Sequence, residues 1–91
     1  MDWYVLEFSG DDVVMAWQDA RLAEQCAALP EAASLEIVQA PAAGDGLVCW
    51  YVSEPTARVL DAHGVGWRRF CVRRCEAPPA GATPVLGAAR S

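Results

Sequence analysis

Four cysteines are the residues here with the most obvious capacity for chemistry, and two of them stand among cations. In the stretch Trp67-Arg68-Arg69-Phe70-Cys71-Val72-Arg73-Arg74-Cys75, an extended backbone makes Arg69 and Arg73 the same-face neighbours of Cys71 and sets Arg73 and Arg74 close to Cys75. Nearby positive charge favours the thiolate, the nucleophilic form. Cys71 and Cys75 are therefore candidates for single-thiol transfer or redox chemistry. Cys49, inside the apolar run Leu47–Val52, is a third candidate, and Cys26 reads as core. The same pattern also describes an inert edge strand, because arginines discourage edge-to-edge association and Cys serves as a small apolar filler. Four residues apart on a strand, Cys71 and Cys75 are separated by about 13 Å, too far for a disulfide or for one shared zinc, and C-x-x-x-C is not a zinc-knuckle spacing. No metal site and no cofactor are expected.

His63 is the only histidine. It falls where a helix should end, a position at which a protonated imidazole gains from the helix dipole without any catalytic role. No second His, no Ser-His-Asp arrangement and no paired carboxylates accompany it. Gly44-Asp45-Gly46 is too short and too acidic for a phosphate cradle and reads as a turn.

Charge narrows the partners. The formal net charge is −5, a poor match to nucleic acid or to an anionic membrane surface. Residues 1–61 hold eleven acids and two arginines, formally −9, whereas residues 62–91 hold five arginines and one acid, formally +4. The opening Met1-Asp2-Trp3-Tyr4-Val5 has neither the basic start nor the apolar run of a secretory signal or membrane anchor, so a cytoplasmic protein with reduced thiols is expected.

The elements that must position these side chains follow from periodicity. Trp3–Phe8 is β-branched and aromatic enough for a strand, and Ser9-Gly10-Asp11-Asp12 breaks it, with Ser9 and Asp12 resembling a capping box. A helix from about Asp11 to Leu29 follows, stopped by Pro30. Its apolar arc holds Val13, Ala16, Ala20, Ala23 and Ala27 beside Met15, Leu22, Cys26 and Leu29, with Gln18, Arg21, Glu24 and Gln25 opposite and Asp19 inside the arc. Residues 34–39 alternate as a half-buried strand with Leu35 and Ile37 inward, residues 40–46 form a loop, and Leu47–Val52 suits a central strand. Ser53 caps a second helix with Pro55 in its first turn and Gly64 at its end. Residues 67–75 form a last strand.

With 91 residues and 54% hydrophobic content, the chain supports one domain, placed at residues 1–76, followed by a flexible Pro/Ala/Gly-rich tail at 77–91. The order β-α-β-β-α-β indicates an α+β fold of the ferredoxin-like kind, an antiparallel sheet in the spatial order 4-1-3-2 with both helices on one face. Tyr4, Leu6 and Phe8 then face the helices with Leu35, Ile37, Phe70 and Val72. The opposite face receives Trp3, Val5 and Glu7 together with Trp67, Arg69, Cys71, Arg73 and Cys75. Such an apolar face calls for cover, most simply by a second copy of the chain or another protein; the alternative is the tail folding back through Val85 and Leu86.

The strand ending in Phe8-Ser9, the Ala-rich helix, the Pro-containing loop closing at Gly46-Leu47 and the short helix ending near Gly64-Val65 together resemble a group of small bacterial domains described as sulfur- or selenium-carrier-like. The resemblance covers about residues 3–75. It implies the same fold and cargo carriage on a Cys immediately before the loop glycine; here that position is Asp45, and Cys49 is the nearest substitute. The expected function is thus a non-enzymatic accessory or interaction domain dimerising through the open sheet face. Its alternatives are a thiol carrier or redox domain using Cys71, Cys75 or Cys49, and a cofactor-free enzyme of the dimeric α+β barrel type, which would need a pocket between sheet and helices.

Overall fold

A computed structural model describes residues 2–8, 12–41 and 47–86, with side chains of the first helix described from residue 17 onward. The expected Ser9 cap, the Gly44-Asp45-Gly46 turn and the side chains of Val13, Met15 and Ala16 lie outside the described residues.

Among the described residues the chain is an α+β fold of two α-helices and a five-stranded antiparallel sheet. Its elements are β1 (Trp3–Phe8), α1 (Asp12–Ala27), β2 (Ile37–Gln39), β3 (Val48–Ser53), α2 (Glu54–Ala62), β4 (Cys71–Cys75) and β5 (Thr83–Pro84), in the spatial order β4-β1-β3-β2-β5. The expected 4-1-3-2 order is embedded in it. The fifth strand comes from residues assigned by composition to the tail.

The alternation of β1 sends Tyr4, Leu6 and Phe8 to the helix side. There Leu6 and Phe8 join Ile37, Trp50 and Val52 from the sheet, Leu22 and Cys26 from α1, and Ala57 and Leu60 from α2 in one buried cluster. Contributions from both helices to a cluster built on one set of strand residues place both helices on one face of the sheet. Within α1 the packing row is Leu22, Ala23, Cys26 and, just beyond its end, Leu29, whereas Ala20 and Ala27 are exposed. The helix is thus rotated from the expected arc because the long side chains bury more apolar area than alanines. Asp19 stands half-exposed at the margin of this row.

Helix α2 follows its sequence signals. The Ser53 Oγ accepts from the Thr56 N–H and donates to the Thr56 hydroxyl at 2.9 Å, and Thr56 in turn accepts the Glu36 N–H at 2.7 Å. Buried Ser53 and Thr56 thereby tie the helix start to the chain entering β2. Gly64, at φ +71°, ends α2 in the left-handed region that a residue with a Cβ resists.

Between β4 at one edge and β5 at the other, residues 76–82 must cross the sheet. Cys75 starts beside Trp3, and Thr83 arrives beside Gln39, so the path is a diagonal. The helices fill one face, which leaves the other for the crossing. Val5 and its partner Tyr51 lie on that other face with only 0% and 8% of their surfaces exposed. The crossing turns through an Ala82 N–H to Pro79 carbonyl bond and Gly81 at φ +85°, where a Cβ would stand 3.3 Å from the Pro41 ring. The Val85 N–H then donates to the Ile37 carbonyl at 2.9 Å, and Val85 and Leu86 pack on the core.

Candidate functional site

The final strand is shorter than its composition suggests, and the reason lies upstream in Asp61. Its carboxylate accepts the Trp67 indole N–H at 3.0 Å and two Arg68 N–H groups at 3.2 and 2.7 Å. Those bonds gather Trp67 and Arg68 against the end of α2, and Arg68–Phe70 fold into a single 3-10 turn, so extended structure begins only at Cys71. Arg68 holds the Asp61 carboxyl below the usual carboxylate range, and Trp67 adds to that effect.

The turn displaces half of the expected interaction face. Trp67 is fully buried, edge-on to Tyr4 with ring centroids 5.0 Å apart, and belongs to the helix-side core. Arg69 sits in the turn with its guanidinium 4.9 Å above the Phe70 ring. Cys71 pairs with Leu6 while Arg73 pairs with Val5, so Val72 is an extra residue in the ladder. This bulge reverses the alternation. Cys71 therefore packs toward the helix-side core, and Val72, expected inward, is 54% exposed.

On the face opposite the helices stand Trp3, Val5, Arg73 and Cys75. Val5 is buried, so the accessible part is the β1–β4 border: half-exposed Trp3, exposed Arg73 and half-exposed Cys75, with Val72 beside them at the bulge. β4 ends the sheet, and along its outer side one row of N–H and C=O groups has no strand next to it among the described residues.

The thiols are dispersed. No disulfide joins any of them. Cys26 is buried in the core, and burial pushes its thiol up to about 11, leaving it protonated at neutral pH. Cys49 lies on the far face opposite Glu7. Cys71 donates to the Arg73 carbonyl at 3.8 Å and Cys75 to the Ala77 carbonyl at 3.3 Å. Of the cations that the spacing assigns to them, Arg74 binds Asp2 at 2.6 Å and stacks over Tyr4 and Arg69 covers Phe70, whereas Arg73, without an ion pair among the described residues, shares its face of the sheet with Cys75.

His63 closes α2 and meets the Glu31 carboxylate at 2.9 Å, and that hydrogen bond holds the carboxyl below the usual carboxylate range. The pair links the loop after α1 to the end of α2. Among the described residues no three His, Cys, Asp or Glu side chains converge as metal ligands, and no pocket opens between sheet and helices. The Trp50 indole N–H is buried without a partner, its ring edge-on to Phe8 at 4.8 Å.

Asp61 organises this region, although no catalytic or metal-binding motif marks it in the sequence. Its signal is an acid at the end of a helix, six and seven positions before a Trp-Arg pair across Gly64 and Gly66. No protein-family model, curated protein or solved structure was found to match this chain.

Proposed function

We propose that this chain is a small accessory domain that acts by binding another protein, and that the binding surface is the open edge of β4 with the Trp3–Arg73 border beside it. The observation that carries this reading is the route of the chain. After Cys75 the backbone stands next to the unpaired edge of β4 and could close it with a hairpin, yet it crosses the whole sheet and closes the opposite edge instead. The edge left open carries an outward valine and an arginine with no ion pair among the described residues. A free strand edge supplies main-chain hydrogen bonds to an added strand, and the side chains select which strand. Arg73 and the Arg69 and Arg74 beside it repel a second β4 and favour an acidic extended segment. The accompanying fold reading is a ferredoxin-like arrangement with one strand added, supported by the order of the first six elements and the shared face of the helices.

Support for thiol carriage through Cys71, Cys75 or Cys49 is weaker, since Arg69 and Arg74 are engaged by Phe70 and by Asp2 and Tyr4. A cofactor-free enzyme would need a pocket, and none is found among the described residues.

Selection of random peptides displayed on phage against the immobilised chain tests the proposal. The expected consensus is an extended acidic segment with an apolar residue, whose binding is lost on Arg73→Glu. Failure to enrich any such segment, or equal binding by Arg73→Glu, overturns it.

A further inference from the structure

Helix α1 turns an exposed face away from the sheet. Trp17 is 62% exposed there, the most exposed of the large hydrophobic side chains among the described residues. Its guanidinium neighbour Arg21 lies 5.0 Å over the ring. Arg21 and Glu24 are three residues apart on an exposed helix surface and carry opposite charges, yet they make no ion pair with each other or with any described residue. Ala20, Ala27 and Ala28 line the same side and are exposed, and the Ala28 N–H bonds to the Glu24 carbonyl at 3.1 Å, so the helical path continues to that residue.

At 3.6 residues per turn, Trp17, Arg21, Glu24 and Ala28 fall within an arc of about 60°, with steps of four, three and four residues. This is the spacing of a coiled-coil seam. An antiparallel twofold pairing of two such helices has one register in which it is self-complementary. Trp17 meets Ala28 of the second copy, large against small, and Arg21 meets Glu24, cation against anion, each contact occurring twice. The alanines on the flank let the helix axes approach toward the short end of the 8–10 Å packing range.

We propose that α1 is a self-association surface through which two copies of this chain pair antiparallel about a twofold axis between Arg21 and Glu24. The partner is a second copy because the charges and sizes along the stripe complement their own reversal. A parallel pairing would set Arg21 against Arg21 and Glu24 against Glu24. The seam from Trp17 to Ala28 is about 17 Å long at 1.5 Å per residue. One such ridge falls short of the roughly 1,200 Å² of a stable interface. The association is therefore weak and reversible. It leaves the β4 edge free, so a dimer presents two copies of that edge, and it stands whether or not β4 binds a partner.

Sedimentation equilibrium of the full chain from low-micromolar to near-millimolar concentration, with circular dichroism to verify folding, is the test. The expected result is a reversible dimer, weakened about tenfold or more by Trp17→Ala. Arg21→Glu and Glu24→Arg singly abolish it, and the double variant restores it. A chain that stays monomeric throughout, a dimer indifferent to the single charge reversals, or a double variant that fails to restore pairing overturns the proposal. All three positions are exposed in the monomer, so circular dichroism should show every variant folded.

Discussion

The two edges of the sheet are finished in opposite ways. At one, the three-residue β2 is closed by the protein's own backbone: β5 pairs with Val38 and Gln39, and Val85 and Leu86 follow onto the core. At the other, the outer side of β4 has no strand next to it among the described residues and is guarded by side chains and a bulge. Backbone closure is permanent and indifferent to what approaches. Guarding by charge discriminates, because arginines exclude their own kind and attract acids. The contrast separates a structural edge, where substitutions should cost stability, from a recognition edge, where they should cost binding alone.

Removing the closure gives the largest expected effect. A chain ending after Glu76 loses β5, the crossing and the core contacts of Val85 and Leu86, and uncovers Val5 and Tyr51. Burial of a single aliphatic side chain is worth about 1.5–3 kcal/mol, so urea denaturation should register a loss of about 3 kcal/mol or more. An unchanged midpoint would mean that the far edge is no better closed than the near one.

Next comes Asp61→Ala, which leaves the buried Trp67 indole N–H without its acceptor and releases the turn that starts β4. A loss of about 1–3 kcal/mol is expected in the same assay. Because Trp67 rather than β4 itself carries the cost, the loss should survive in an Arg73→Glu background.

A smaller effect concerns pH. Arg68 depresses the Asp61 carboxyl and His63 the Glu31 carboxyl in the folded chain. Each folded value lies below the unfolded one, so the stabilisation is present above about pH 4 and is lost as pH falls through the folded values. Urea midpoints measured between neutral pH and pH 3 should decline on this acid limb, and less steeply in Asp61→Asn. Both pairs are solvent-exposed, so salt should reduce the slope.

Smallest of all is the effect of Arg73→Glu on stability, expected within about 0.5 kcal/mol because the side chain is exposed and makes no ion pair among the described residues. A larger loss would make Arg73 part of the scaffold and erase the distinction between the edges.

Much of this architecture is legible in the sequence because it rests on local rules. Period-two alternation sets Tyr4, Leu6 and Phe8 inward, Ser53 and Pro55 start α2, and Gly64 ends it. The features that escape depend on contacts between distant residues. Nothing periodic marks β5, two residues long and containing a proline, and its pairing with β2 depends on a crossing of the whole sheet. The row α1 turns inward is decided by how much area Leu22 and Cys26 bury against the sheet, which an even count of apolar positions ignores. For the candidate site, Trp3, Val5 and Arg73 are placed on the right face by alternation. Trp67, Arg69 and Cys71 are misplaced because alternation runs through a stretch that Asp61 folds into a turn and Val72 shifts by one residue.

Amide hydrogen exchange, read residue by residue with and without an acidic peptide selected on the chain, tests the central claim most directly. Added protection confined to the Cys71–Cys75 amides and the adjoining border at Trp3, with β2 and β5 unchanged, is the predicted result. Protection that appears at β2 and β5 and not at β4 would contradict it.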